Sequence, residues 1–360
     1  MILLLHHRYR FAGGEERAVA DIAWLIREHL GEDVEVLERD SAALGRPRAA
    51  VALLRGGLAP EDVAAAVRRT GARAVSAHNL TPALGWRALA AARGAGARTV
   101  LHLHNYRLVC AVGTCFDARG EDCTRCQGAN TAPGVALGCR GSRVEGAAYA
   151  ASLSLWSARL TACADAVVVP SEAAAARLRA LRAPVRALEV VPHALRSFAA
   201  ESCAGAGEFA LVASRIAPEK GVDVAIAACA RAGLPLVVAG DGAVRSEGDV
   251  RFVGRVDAEE LAALRARAAL ALVPSRSAET FGLAAAEAMA AGVPVVASWM
   301  GALTELVDAG GLVAPGDVDG FARCARARFG DAEAGAVGLA RVRSLCDPAA
   351  VAERLARIYA

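Results

Sequence analysis

Apolar residues recur along this chain in two rhythms, short unbroken runs of four or five and longer stretches spaced at three and four, separated by glycine, proline or small polar residues. Runs of the first kind over residues 2–5, 34–37, 74–77, 99–103, 166–169 and 188–191 read as strands, too uniformly apolar to have a wet face. Residues 17–30, 62–69, 84–93 and 146–164 between them carry helical spacing. The alternation predicts an α/β chain, a parallel sheet with helices on both faces. It resumes further on, with strands over 209–213 and 269–273 and helices over 222–232 and 283–291, the last closed by Gly292 with Pro294 behind it. The pattern runs to about residue 328, and a final helix is expected over 348–359. Glycine, alanine and serine dominate 197–207, which predicts a linker there. A chain of 360 residues is too long for one ordinary core, and the division expected is 1–196, the linker 197–207, 208–345, and a terminal piece 346–360.

Composition narrows the function classes. Aromatics are only 4% and the 55% hydrophobic share is inflated by alanine. No apolar run reaches the roughly 18 residues of a membrane span. The opening run Met1 to Leu5 is too short for an export leader, so none is expected and the location expected is cytoplasmic. A net charge of +3 does not indicate a nucleic-acid partner. Residues 146–164, with Trp156 and Arg159, read as a domain helix, peripheral contact with the inner face of a membrane being the other reading.

Chemistry gathers where strands end. Phe209 to Ala213 leads into Ser214-Arg215-Ile216-Ala217-Pro218-Glu219-Lys220-Gly221, so Arg215 and Lys220 project from a strand-to-helix loop, the edge at which open parallel sheets bind ligands. Lys220 is the only lysine in the chain; the other basic residues are arginines. A compact ammonium opposite a planar guanidinium suits a diphosphate. After the next long apolar run comes Pro274-Ser275-Arg276-Ser277-Ala278-Glu279-Thr280-Phe281-Gly282-Leu283, with Glu287 just over a turn into the helix. Glu279 and Glu287 lie about 10 Å apart along the axis, too far to share a proton but suited to gripping two parts of one elongated ligand. The N–H groups of residues 281–284 at the positive end of that helix make an anion site. Each carboxylate alone is also an ordinary helix residue; the two motifs together point to a nucleotide. In the first half, Gly13-Gly14 sits at a strand-to-helix turn where the backbone can approach a ligand, though any tight turn uses such a pair. His78-Asn79 and His102 to Arg107 end two other strands.

Arg215 with Lys220, Gly240-Asp241-Gly242, Val250 to Gly254, and Glu279 and Glu287 with seven residues between, in that order, resemble the donor half of the retaining GT-B glycosyltransferases of family 4. The resemblance implies two Rossmann-like domains facing across a cleft and a nucleotide-diphosphate sugar as co-substrate; no Asp-x-Asp triad is read as a divalent-metal site, so no cofactor or metal is expected in catalysis. It gives Glu279 the hydroxyls of the donor sugar, Glu287 the ribose, and Arg215 and Lys220 the diphosphate. Gly242, Val253 and the stretch Phe281, Gly282 and Leu283 fall around the donor, with the Gly13-Gly14 loop across from its phosphates. His104 would meet the transferred sugar; many relatives carry Asp next to it, where this chain has Asn105. The terminal helix would pack back on the first domain. The implied activity is that of a retaining hexosyltransferase acting on a carbohydrate, a lipid-linked or a small-molecule acceptor. A GT-B sugar-nucleotide epimerase and a non-catalytic sugar-nucleotide sensor are the rival readings; intact Arg215, Lys220, Glu279 and Glu287 argue against a degenerate binder.

Residues 107–146 are the least regular part. Cys110, Cys123, Cys126 and Cys139 are separated by twelve, two and twelve residues, with Cys115 additional. Three readings stand: a structural zinc knot stapling a loop without a core, plain reduced thiols, or a redox switch. The segment resembles a subgroup of the same family that carries a cysteine-bearing insertion.

Overall fold

The computed structural model describes residues 1–8, 13–242 and 249–360. Residues 9–12, part of the loop expected ahead of Gly13, and residues 243–248, directly after Gly242, lie outside the described residues. The chain divides into two compact units: Met1–Ala118 with Cys123–Ala194 and Pro348–Ala360, and Leu195–Asp347 with Arg119–Asp122.

The first unit is built on six strands, β1 (Ile2–Arg8), β2 (Val34–Asp40), β3 (Ala74–Ala77), β4 (Arg98–His102), β5 (Ala166–Val169) and β6 (Glu189–Val190). They pair in parallel in the order β2-β1-β3-β4-β5-β6. The uniformly apolar start of β1 follows from covering on both faces. Ile2 and Leu4 pack with Ile22, Ile26 and Leu355 on one side, whereas Leu3 and Leu5 pack with Val63, Val67 and Leu89 on the other. Burial of that kind stabilises each leucine or isoleucine by about 1.5–3 kcal/mol relative to exposure. The terminal helix Pro348–Tyr359 belongs to this unit, its Val351, Leu355 and Tyr359 in the core and its last carbonyls held by Arg73 and Arg98. Sequence patterning assigns no element to residues 46–55, where the structure has a helix, Arg46–Arg55. Only Ala52 and Leu53 of it are buried, so its apolar stripe is too narrow to register as a period.

The second unit has strands β7 (Phe209–Ala213), β8 (Leu236–Ala239), β9 (Val250–Gly254), β10 (Ala268–Val273), β11 (Val295–Ser298) and β12 (Leu312–Val313). All pair in parallel, in the order β12-β11-β10-β7-β8-β9. Counted within the unit, that is the 3-2-1-4-5-6 order of a dinucleotide-binding sheet, reversing direction between β7 and β10. Leu270 and Leu272 of β10 pack toward the helices Val222–Ala232 and Val318–Arg328; Ala271 and Val273 pack toward Leu283–Ala290 and Ala332–Leu345. Residues 197–207, expected from composition as a linker, make contacts of this unit. Ala199 donates its N–H to the Ala290 carbonyl at 2.8 Å, the Ser202 hydroxyl donates to the Gly292 carbonyl, and Phe198 packs on the core. Both units are Rossmann-like.

Candidate active site

In an open parallel sheet the loops at the carboxyl ends of two strands diverge where the strand order reverses, leaving a crevice. In the second unit those strands are β7 and β10, and their loops carry the two motifs. Gly221 has φ 62°, and a Cβ there would sit 2.1 Å from the Pro274 carbonyl oxygen. Only glycine lets the turn after Lys220 lie against the end of β10. The consequence is an ion pair. The Lys220 ammonium lies 2.6 Å from Glu279 Oε1, and the Ser275 hydroxyl donates to the same oxygen at 2.7 Å. The Glu279 side chain is only 17% exposed. Burial alone would push its carboxyl up, yet the Lys220 ammonium, the Ser275 hydroxyl and the more distant Arg215 outweigh it and hold the group below the usual carboxylate range. It is an anion at neutral pH.

Beside this pair the helix Leu283–Ala290 begins. Gly282 caps it at φ 88°, and a Cβ there would meet Leu303 at 2.8 Å. First-turn N–H groups have no intrahelical acceptor, so the main chain from Leu283 onward is available to an anion. The Phe281 side chain is not: it is 3% exposed and packed in the core. Arg215 is exposed and pairs with Glu219 at 3.1 Å. The loop of Gly242 is tied to the Arg215 loop by the Ile216 N–H donating to the Asp241 carbonyl at 2.7 Å. Val253 packs partly buried against the core. Glu287 is already engaged, since Arg265 donates to its Oε2. Sequence reasoning missed Arg265, which ends the helix Ala258–Ala266 and whose Nε–H is buried without an acceptor among the described residues; an arginine buried before a strand was its only signal. Asp317-Val318-Asp319 is an Asp-x-Asp sequence, but Asp317 caps its own helix and Asp319 pairs with Arg231. Among the described residues no group of three or more His, Cys, Asp or Glu is arranged to hold a metal ion.

The first unit gathers histidines at its own strand ends. His78, His102, His104 and His193 stack, with neighbouring ring centroids 4.8 Å (His78 and His102), 5.2 Å (His78 and His104) and 5.5 Å (His104 and His193) apart. A hydrogen-bonded chain runs from the Tyr359 hydroxyl through Ser76 Oγ at 2.8 Å to His78 Nε2 at 3.2 Å, then from His78 Nδ1 to His104 Nε2 at 2.9 Å. Burial, with His6 close by, lowers His104 to about 4; burial and His104 lower His193 to about 3. Burial and the adjacent imidazoles hold His78 and His102 well below the ordinary histidine range. His104 is therefore a neutral hydrogen-bonding group and not a cation. Unfolded imidazoles titrate near 6.5. As the pH falls below that value the unfolded chain binds protons that the folded stack refuses, so stability is fully present above about pH 7 and is lost on acidification toward the folded values. Thermal unfolding should show Tm level above about pH 7 and falling between about pH 6.5 and 5. A Tm that holds constant over that window would contradict a neutral stack.

Gly13 and Gly14 open the helix Gly14–Leu30, but the Gly13 N–H is donated to the Glu16 carboxylate at 2.7 Å, so it is committed to capping. The neighbour that sequence reasoning passed over is Glu15. Its Oε1 accepts from the Asn105 amide at 2.5 Å, and its Oε2 is buried with no donor among the described residues. Glu15, Asn79, His104, Trp86 and Trp156 line a cavity of about 70 Å³, so a charged acceptor and a neutral imidazole face a space walled in part by indole.

Comparison with known proteins places both units. The family profile described as "Glycosyl transferase 4-like domain" matches residues 12–194, and that described as "Glycosyl transferases group 1" matches residues 207–331. Glycogen synthase of Mycobacterium tuberculosis is 39% identical over 166 residues, 41% of this chain and 36% of that protein. A D-inositol 3-phosphate glycosyltransferase of Nocardioides is 54% identical over 67 residues, 19% of this chain and 14% of that one. The matched stretch thus spans about a third or less of each relative. Solved structures align over nearly the whole chain. Sucrose-phosphate synthase from Thermosynechococcus elongatus gives a TM-score of 0.72 at 20% identity, covering 99% of this chain and 98% of that one. Anabaena HepE, crystallised with UDP and glucose, gives 0.64 at 20% identity with the same coverage. Their fold is the GT-B fold. With a family profile on each unit and that fold end to end, the chain belongs to the family-4 glycosyltransferases, the glycosyl transferases group 1.

Proposed function

We propose that this chain moves a hexose from a nucleotide-diphosphate donor to an acceptor hydroxyl, with retention of anomeric configuration and without a metal in the chemical step. The observation that carries the reading is the Lys220–Glu279 pair beside the opening turn of the helix Leu283–Ala290, at the reversal of the second sheet. Lys220, the exposed Arg215 and the first-turn N–H groups offer positive charge to a departing diphosphate, the kind of fixed electrostatic stabilisation that dominates such rates. Glu279, kept anionic, accepts hydrogen bonds from sugar hydroxyls. Glu287, oriented by Arg265, is given the ribose. The UDP bound by the solved HepE relative supports a nucleotide donor.

The acceptor is assigned to the first unit, where Glu15 Oε2 and neutral His104 offer two hydrogen-bonding groups inside one cavity. The bond from the anomeric carbon to the phosphate oxygen breaks, the acceptor oxygen bonds to that carbon on the same face, and the leaving phosphate oxygen takes the acceptor proton. The test is incubation with a panel of nucleotide sugars, with and without acceptor and with and without added magnesium or manganese. Nucleoside diphosphate should be released faster with acceptor and independently of either ion, and the product should keep the donor's anomeric configuration. An inverted product, or isomerised donor with no acceptor required, would overturn the reading.

A further inference from the structure

Five of the ten cysteines, Cys110, Cys115, Cys123, Cys126 and Cys139, line one small cavity of about 20 Å³. A space of that size admits a single atom-sized guest, the threshold for one water being about 10–15 Å³. Thiol walls give a water poor partners, whereas they are good ligands for a soft or borderline cation. We propose that Cys110, Cys123, Cys126 and Cys139 bind one structural zinc ion, which fastens the segment between β4 and the helix Arg143–Ala162.

Three independent features support a tetrathiolate. The first is mechanical. None of residues 118–130 is buried, so the arm that bears Cys123 and Cys126 has no apolar core of its own. A segment so long, with one short helix, Ala132–Ala136, requires another source of cohesion. A Cys-x-x-Cys pair flanked by a distant thiol on each side supplies four ligands from three strands of the loop.

The second is the surroundings of the sulfurs. The N–H groups of Val112, Gly113 and Cys115 donate to Cys110 Sγ, as does the Cys115 thiol. The N–H of Gly134 serves Cys126, and that of Ala118 serves Cys139. Sulfur is a weak acceptor as a thiol and a far better one as a thiolate, so the donors converging on Cys110 suit a metal-bound thiolate, whereas at Cys126 and Cys139, where burial favours the thiol, the ion itself must displace the proton. Cys115 then acts on the ion only through Cys110.

The third is charge. Binding releases four protons and turns Zn²⁺ plus four thiols into a site of charge 2−. Arg125 pairs with the buried Asp117, which also lines the cavity, and Arg177 donates to the Cys123 carbonyl at 3.1 Å. With Asp117 answering Arg125, Arg177 is the guanidinium that faces that charge. A cavity of about 20 Å³ suits one ion better than a multi-iron cluster, the other common guest of four cysteines. The sulfurs are not yet at ligand spacing, so an ion with bonds of about 2.3 Å would draw them inward.

Full-length protein prepared with zinc in the medium is expected to retain about one zinc ion per chain by mass spectrometry, released only as four thiols are titrated with an organomercurial. Replacing the ion by cobalt should give the thiolate-to-cobalt absorption of a tetrahedral four-sulfur site. Cys123→Ser and Cys126→Ser should lose the metal and speed tryptic cleavage at Arg119 and Arg125, while Cys203→Ser should leave both unchanged. Wild-type protein that retains no metal and gives no such cobalt band would overturn the proposal whatever the variants do. So would iron carried in place of zinc.

Discussion

Lys220→Ala is expected to lower kcat/KM by at least about a hundredfold, roughly 3 kcal/mol of transition-state stabilisation, with most of the loss in kcat. Two losses coincide. Under the proposed function the departing diphosphate forfeits the ammonium at the strand-order reversal, and Glu279 forfeits the cation 2.6 Å away that keeps it ionised despite burial. With only the Ser275 hydroxyl beside it, the Glu279 carboxyl rises, and what activity survives should recover as pH is increased. Lys220→Arg keeps the charge but not the shape, because a planar fork cannot reproduce the single contact that the compact ammonium makes with Glu279 Oε1. It should remain well below wild type. Steady-state kinetics with saturating acceptor is the measurement, and a change in KM alone would remove Lys220 from the chemistry.

Glu279→Gln carries the second large effect, again about a hundredfold or more in kcat. The amide keeps the size and can accept from Ser275, so the fold is not at stake. What it loses is the charge that balances Lys220 and that, under the proposed function, accepts from the sugar hydroxyls. Because the two side chains act as a unit, the double variant Lys220→Ala/Glu279→Gln should be less impaired than the product of the single losses. A double-mutant cycle on kcat/KM decides this, and strictly multiplicative losses would show that the contact is incidental to turnover.

How much of this was legible beforehand varies from residue to residue. The two motifs after β7 and β10 stand close together in sequence with their strands and glycines, because such loops are built from local turn chemistry. Lys220 even announced itself by being the only lysine. The pairing of Lys220 with Glu279 was not legible, since 59 residues separate them. Arg265 on Glu287 and Asn105 on Glu15 were equally hidden, the latter across 90 residues. For Asn105 the sequence showed only a missing carboxylate; the structure shows Glu15 bringing one to that amide. Phe281 falls among the ligand contacts by its place in the motif, yet its ring is core, because alternation within a loop does not reveal which way a side chain turns.

The sequence by itself determined the rhythm of strand and helix, the two sheets that rhythm builds, and the polar loops at which the strands stop, because period and turn residues act over a few neighbours. Only the tertiary structure decided the order of the strands, and with it which loops lie together at a reversal, which carboxylates stay charged and which imidazoles stay neutral. Those outcomes depend on burial and on partners tens to hundreds of residues away, and no local pattern along a chain records either.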